Sequence, residues 1–445
     1  MRQYAWLLAI ICTATAVDAQ PPNIVFIMAD DLGFGDLGCY GQPRIQTPNI
    51  DRLAAEGLRF TQAYAGACVC APSRCTLMTG LHTGHCRIRD NQPVGMSLRP
   101  DDVTIAEVLK QAGYRTGMIG KWGLGDAGTR GVPSSQGFDR FFGQLNHTEA
   151  HFYFPSFLWD DDRMVFLGGN RGGARGQYTP DLFLEQALAF IEQQRDRPFC
   201  LYFADTQPHW SDAAKTSPDS LPVPSQTPYT DRDWPEVEKN YAAMVTRLDS
   251  SVGRIMDLLR RLGVDRETIV FFTSDNGPSA EKLHDVEFFD SNGPCRGSKR
   301  DLYEGGLRVP LLVRWPGHVP RGTTCDAVVW FPDVFPTLAE LAGFGPPAGL
   351  DGVSIAPLLR DDPAAPTART LYWDYGHVRE SYDQAVRFGD WKAVRNGKNS
   401  PIELYDLAND PGEQHNLAAA HPDILAQAEK LLRETPIASE DYPIP

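Results

Sequence analysis

Positive charge is scarce in this chain: 42 Lys and Arg stand against 57 Asp and Glu, a formal net charge of -15 at pH 7. That balance argues against nonspecific binding to nucleic acid or to anionic membrane surfaces. Long apolar runs are scarce as well. The run from Ala5 to Ile11 is too short to span a bilayer, and no later segment reaches the roughly 18 continuous apolar residues of a membrane helix. Stable membrane insertion is therefore not expected. No internal repeat is apparent, which sets repeat architectures aside. Cys68, Cys70 and Cys75 lie close together, but no histidine-rich partner occurs beyond them at zinc-site spacing.

What is present fits a globular protein. A chain of 445 residues with 42% hydrophobic content can bury the core of one large α/β domain and a smaller second one. Met1 to Gln20 holds Arg2, the short apolar run and small residues ending in Val17-Asp18-Ala19, which reads as a signal peptide cleaved near Ala19. The mature protein is then expected outside the cytoplasm, in a periplasm or the extracellular space. Cys12 follows Ile10 and Ile11 without the small residue usual before a lipidated cysteine, so a lipid anchor is disfavoured.

Four apolar runs each stop at a polar cluster. Asn23 to Met28 leads into Asp30-Asp31, Tyr114 to Ile119 into Gly120-Lys121, Phe199 to Phe203 into Asp205 to His209, and Thr268 to Thr273 into Ser274-Asp275-Asn276. Runs of this kind suit parallel strands buried on both faces, and ligands of open α/β sheets gather at carboxyl strand ends. Helices are expected between them: one from Thr47-Pro48, and one with helical spacing from Tyr241 to Leu259 that ends at Gly263. The fold class is α/β, a doubly wound mixed sheet flanked by helices. From about Pro366 short strand-like runs at 370–373, 384–388 and 391–394, then a helical stretch at 422–432, predict a small antiparallel sheet with a terminal helix. The expected division is 1–19 signal peptide, 20–365 catalytic domain and 366–445 C-terminal subdomain. The proline- and serine-rich stretch 217–235 reads as an ordered surface excursion.

Adjacent carboxylates at a strand end are costly to bury unless a cation neutralises them, and hard oxygen donors suit calcium or magnesium. Asp30 and Asp31, set among Gly33 and Gly35, form such a pair. Cys70-Ala71-Pro72-Ser73-Arg74, followed by Leu77, Thr79 and Gly80, puts a cysteine beside a proline and an arginine at an expected helix start, a place suited to an anion. This stretch resembles the signature of the type I sulfatases, arylsulfatase-like members of the alkaline-phosphatase superfamily. The resemblance extends through Gly120-Lys121-Trp122-Gly123-Leu124-Gly125, Ser274-Asp275-Asn276-Gly277-Pro278, the segment Arg296 to Pro310, and Leu404 to Leu417.

The resemblance implies a sulfuric ester hydrolase in which a formylglycine-generating maturation enzyme oxidises Cys70. The hydrated aldehyde would carry one hydroxyl to attack sulfur and a second to help release the sulfate. It further implies a metal site of Asp30, Asp31, Asp275, Asn276 and the modified Cys70, usually for Ca2+ and less often for Mg2+. Arg74 would hold the modified residue, Lys121 would contact it or the sulfate oxygens, and Lys299 would bridge sulfate and leaving group. His209 would protonate the leaving alcohol, a task suited to a neutral-range pKa. The chain departs from the usual pattern at Gly123, where the family commonly has a histidine. His151, with His147 second, is the expected substitute as base or sulfate ligand.

The anionic substrate sits awkwardly with the overall charge, so local cationic groups must offset it: Arg74, Lys121, Arg296, Lys299, Arg300 and Arg308 lie in or beside these segments. Aryl sulfates are expected surrogates and sulfated small molecules or sugars the natural substrates, with Phe152, Tyr153, Phe154 and Trp159 suited to sugar faces. A phosphonate or phosphodiester hydrolase on the same scaffold is one alternative. A sulfated-glycan-binding protein with impaired turnover is the other. With Cys12 removed and Cys70 modified, seven cysteines remain, an odd number that predicts one or two disulfides of unspecified pairing and an unpaired thiol.

Overall fold

The computed structural model describes residues 21–91, 96–213, 218–281, 284–360, 362, 369–377 and 381–442; the expected signal peptide and Cys12 lie outside them. The strands of the larger sheet are β1 (Asn23–Asp30), β2 (Leu58–Tyr64), β3 (Arg115–Lys121), β4 (Arg140–Gln144), β5 (Phe157–Asp160), β6 (Arg163–Phe166), β7 (Phe199–Pro208), β8 (Thr268–Ser274), β9 (Leu311–Arg314) and β10 (Thr323–Trp330). Their order is β10, β2, β9, β8, β1, β7, β3, β4, β5, β6. The central run β8, β1, β7, β3, β4 is parallel. β9 runs antiparallel to both β8 and β2, and β5 and β6 close the other edge as an antiparallel hairpin. The mixed sheet and its flanking helices are the expected fold class.

The apolar runs are continuous because both faces of the sheet are covered. Along β1, Ile24, Phe26 and Met28 enter one core layer while Val25, Ile27 and Ala29 enter the other, the two-residue alternation of a strand with no wet face. One layer is closed by α1 (Pro48–Ala55), α4 (Thr179–Gln194) and α5 (Glu236–Leu262) through residues such as Leu53, Phe183 and Leu248. The opposite layer is closed by α2 (Cys70–Thr79) and α3 (Ile105–Gln111), through Cys75, Leu77, Val108 and Leu109. α5 ends at Gly263, whose φ of 74° is left-handed and accepts the cap geometry without a Cβ penalty.

β11 (Thr370–Tyr375), β12 (Asp383–Phe388), β13 (Trp391–Arg395) and β14 (Glu403–Asp406) form the second sheet, antiparallel throughout. The helix Pro422–Glu434 covers one face through Ala428 and Leu432, and Trp373 and Val394 pack the other face against Tyr64 and Trp330, the last residues of β2 and β10. Residues 218–235 form an ordered excursion that buries Leu221 and Tyr229 in the layer of α5.

The expected disulfides are not formed: none of the eight described cysteines is joined in a disulfide. Most behave as small apolar side chains, Cys75, Cys86 and Cys200 in one core layer and Cys68 under the second sheet. Among the described residues, no helix is long and apolar enough to cross a membrane.

Candidate active site

Because β1, β3, β7 and β8 run parallel, their ends at Asp30, Lys121, Pro208 and Ser274 fall on one edge of the sheet. There the chain turns sharply. Asp31 adopts a left-handed φ of 66°, a conformation that carries strain in a non-glycine residue and that clusters at functional sites. A Cβ on Gly33 would lie 2.0 Å from the Ser291 carbonyl oxygen, and one on Gly277 would lie 1.8 Å from that of Gly305. Only glycine permits these two approaches, which bring the β1 and β8 turns against the segment carrying Lys299.

α2 delivers Cys70 as its first residue and is buried along its whole length. Pro72 is its third residue, where the missing N–H would have had no intrahelical partner, and the Ala71 N–H donates to Asn91 Oδ1 at 2.9 Å. The Cys70 thiol lies 3.3 Å from Asp30 Oδ1 and 4.0 Å from Asp31 Oδ1. Burial, reinforced by Asp30, pushes this thiol up to about 12. An unmodified Cys70 is therefore not a thiolate nucleophile at neutral pH.

Three cations interleave with three carboxylates. Lys121 Nζ donates to Asp30 Oδ2 at 2.6 Å and Lys299 Nζ to Asp31 Oδ2 at 2.7 Å. Arg74 donates through Nε and Nη2 to Asp275 Oδ2 at 3.0 and 2.7 Å, and through Nη1 to the Lys121 carbonyl at 2.8 Å. Its guanidinium thus grips Asp275 and the end of β3 rather than the residue at 70. Burial alone would raise Asp30, yet Lys121, Arg74 and Lys299 outweigh it and hold this carboxyl well below the usual range. Asp31 and Asp275 go the other way: burial raises both, with Asp30 adding repulsion, and Asp275 reaches about 6. The other basic residues expected here turn elsewhere. Arg296 bonds Tyr405, Arg300 pairs with Glu281, and Arg308 pairs with Glu304.

His209 follows β7 directly. Its Nδ1 lies 2.6 Å from the Trp210 carbonyl oxygen, an acceptor only, so Nδ1 carries the proton and Nε2 presents a lone pair. That lone pair receives the Lys299 ammonium at 3.0 Å. Burial and the nearby Lys299 and Lys121 hold the imidazole well below its ordinary pKa. His151, on a short turn after β4, stacks on His209 with centroids 4.4 Å apart and planes 18° apart, and its Nδ1 meets Asp212 Oδ2 at 2.9 Å. His147 stands one ring further out, 6.0 Å from His151. Gly123, at φ +81°, leaves only Arg74 Cδ near its absent side chain, at 3.8 Å.

The donors fit a hard divalent cation. Carboxylate oxygens of Asp30, Asp31 and Asp275 and the amide of Asn276 converge: Asn276 Nδ2 donates to Asp31 Oδ1 at 2.8 Å, and the Asp31 N–H to Asp275 Oδ1 at 3.2 Å. Asp30, Asp31, Cys70 and His209 present ligand atoms within 4.8 Å of one another. Asn276 Oδ1 is buried without a hydrogen-bond partner, an arrangement costly unless a cation takes it. The oxygen donors of Asp30, Asp31, Asp275 and Asn276 favour Ca2+ or Mg2+ over softer metals.

One supporting residue, Asp212, escapes sequence reasoning: it holds His151. Tyr153, expected to face sugars, is instead buried, its hydroxyl 2.6 Å from each of the carbonyls of Thr206 and His209 that can accept its proton. The only signal for Asp212 is its place three residues beyond His209.

The profile of the Sulfatase family matches residues 22–344, and that of N-sulphoglucosamine sulphohydrolase, C-terminal, matches 297–436. Arylsulfatase A of Homo sapiens is 35% identical over 490 residues, covering 96% of this chain and 89% of that protein. N-acetylgalactosamine-6-sulfatase of Canis lupus familiaris is 30% identical over 488 residues, covering 98% and 89%. The crystal structure of Ps i-CgsB in complex with k-i-k-neocarrahexaose superposes with a TM-score of 0.81 at 28% identity, covering 95% of this chain and 94% of that one.

Proposed function

The chain belongs to the sulfatase family and is a sulfuric ester hydrolase, and from that premise we propose that its reacting centre is built on Cys70, converted to formylglycine by a maturation enzyme. The named relatives are sulfatases, which favours sulfate over phosphorus esters and turnover over binding alone. Asp30, Asp31, Asp275, Asn276 and the side chain at 70 hold the divalent cation, calcium rather than magnesium. Bound there, the cation supplies positive charge against the sulfate and the aldehyde hydrate supplies the attacking oxygen.

The remaining residues bind, orient and move protons. Three side-chain cations and three carboxylates nearly cancel, so the bound divalent ion leaves the site net positive and attractive to a sulfate despite the acidic chain. Lys121 and Lys299 face the sulfate oxygens, while Arg74 fixes Asp275 and the end of β3. Nε2 of His209 shares a proton with Lys299 and passes it to the leaving oxygen. His151, anchored by Asp212 and stacked on His209, stands in for the histidine absent at Gly123, with His147 behind it. The natural substrate is a sulfated carbohydrate, for which p-nitrophenyl sulfate is a surrogate. Residues 1–19 export the enzyme to a periplasm or the extracellular space; 20–365 form the catalytic unit and 366–445 the smaller one.

The observation that carries this reading is the buried, unpartnered Asn276 Oδ1 beside three converging carboxylates and Cys70. The test is the mass of the Cys70 peptide in protein co-expressed with a formylglycine-generating enzyme, together with sulfate release from p-nitrophenyl sulfate. Formylglycine with calcium-dependent release is the expected result. Formylglycine in a calcium-loaded protein that releases no sulfate would sink the catalytic assignment.

A further inference from the structure

The strained turn after β1 is gripped from behind. Asp31 holds a left-handed φ of 66°, a conformation that persists in a non-glycine residue only where its surroundings over-determine it. Two side chains hold the backbone just beyond it: Ser274 Oγ accepts the Leu32 N–H at 2.9 Å, and Asp36 Oδ2 accepts the Gly33 N–H at 2.7 Å. Ser274 ends β8, beside the site itself. Asp36 is not one of the cation's donors.

Asp36 is fully buried, and burial pushes its carboxyl up to about 6, so keeping it there is costly unless donors hold it. The second donor is the Tyr241 hydroxyl, 2.5 Å from the same Oδ2. Tyr241 is itself locked. It lies buried on α5, and its ring stacks on that of His284, with centroids 3.8 Å and planes 14° apart. Glu238, one turn earlier on α5, pins the stacked partner: its Oε2 accepts from His284 Nδ1 at 2.8 Å and its Oε1 accepts the Asp285 N–H at 2.9 Å. The segment so pinned reaches back to the β1 turn, where the Gly35 N–H donates to the Ser291 carbonyl at 2.7 Å. The start of α5 therefore buttresses the turn that carries Asp31 from two directions.

Resting on the cation-site reading above, we propose that Asp36 and Tyr241 are positioning residues for the divalent cation: the Tyr241 hydroxyl fixes Asp36, Asp36 fixes the Gly33 N–H, and the turn so held keeps Asp31 in its strained, cation-ready conformation. Neither residue touches the cation or the sulfate. Without their grip the empty turn relaxes at Asp31, and binding must restore the strain. The loss then falls on cation affinity more than on the stability of the metal-free protein, which separates positioning from a purely structural contact.

The test is calorimetric titration of Ca2+ into full-length, formylglycine-bearing protein stripped with EDTA, as wild type, Asp36→Ala, Asp36→Asn and Tyr241→Phe. The calcium Kd is expected to rise about 10–100-fold in Asp36→Ala and Tyr241→Phe, the usual cost of losing a partner that orients a metal ligand. Asp36→Asn should recover most of that loss, because its side-chain carbonyl can still accept both hydrogen bonds. Tyr241→Phe keeps the ring stack, so its metal-free melting temperature should fall by only about 3 °C or less, the scale of one hydrogen bond, and it carries the test if Asp36→Ala does not fold. A calcium Kd in Tyr241→Phe equal to that of wild type would overturn the inference, as would a loss in Asp36→Asn as large as in Asp36→Ala, which would trace the effect to charge alone. A wild type that binds no calcium would instead overturn the cation site, and this inference with it.

Discussion

Lys299 Nζ lies 2.7 Å from Asp31 Oδ2 and 3.0 Å from His209 Nε2, so a single ammonium orders a carboxylate of the proposed metal site and the proposed proton donor together. Removing it strips both partners at once inside a buried site. Lys299→Ala is expected to lower kcat on p-nitrophenyl sulfate by about 100-fold or more, the usual cost of one preorganised donor. His209→Ala should fall by a similar factor with a smaller loss of stability, since it leaves no buried charge unpaired. His151→Ala removes the proposed stand-in for the histidine absent at Gly123 and should cost about 100-fold or more. Wild-type turnover in either of the first two variants would refute their roles. Cys70 carries a second residue-scale consequence. Its side chain is 1% exposed and α2 is buried throughout, so a maturation enzyme can reach it only before the chain folds. Folded protein bearing the thiol should remain unmodified when mixed with a formylglycine-generating enzyme, whereas an unfolded peptide spanning residues 65–80 should be converted; peptide masses decide between the two.

The start of α1 shows how an element can depend on a distant one. Thr47 and Pro48 announce a helix, and the helix begins at Pro48, but the Thr47 hydroxyl does not cap it. Asp249 of α5 does: its Oδ1 accepts the N–H groups of Asn49 and Ile50, each at 2.8 Å, and its Oδ2 accepts the Asn49 side chain at 2.7 Å. Asp249→Ala should therefore cost about 1–2 kcal/mol, as loss of a helix cap does, read as a lower urea midpoint at unchanged slope. A cap supplied from 200 positions away leaves no local trace, and so only the helix start is legible in sequence. Strands obey the same logic. β1, β3, β7 and β8 announce themselves because helices cover both their faces, whereas β6 is exposed along its length and β10 along much of it, so neither shows a strand's burial pattern. At the site, paired carboxylates and the cysteine motif stand out because their chemistry is costly without a purpose. Arg74 gripping Asp275, and Asp212 holding His151, are three-dimensional pairings that sequence spacing does not encode.

The two sheets are joined by a buried ion cluster and by a terminal tether, and each carries a prediction for the whole molecule. Lys392 of β13 bonds Glu304 at 3.0 Å and Glu413 at 2.9 Å, fully buried, while Glu413 also accepts the Glu304 N–H at 2.6 Å. Lys392→Met would leave two carboxylates facing each other in the interior and should destabilise the protein by about 3–5 kcal/mol, measurable as a lower denaturant midpoint. The tether is His85, whose Nδ1 meets Asp351 at 2.9 Å and whose Nε2 meets the Thr435 carbonyl at 3.0 Å. Both partners are acceptors, so the doubly protonated ring suits the site, and the hydrogen bond to Asp351 raises its pKa. His82, stacked 4.0 Å away, is held down to about 4 by burial and stays neutral, so it does not compete for the proton. Thr435 ends the helix Pro422–Glu434, and the neighbouring Ile437 N–H donates to the Gly84 carbonyl at 2.9 Å, so the charged ring fastens the C-terminal segment to the loop after α2. A histidine whose pKa is higher folded than unfolded adds stability that is complete below its unfolded value of about 6.5 and disappears as pH rises through the folded one. The melting temperature of wild type minus that of His85→Gln should therefore shrink as pH climbs from about 6 to 9. A difference that stays constant or grows over that range would show that His85 is bound as the neutral ring.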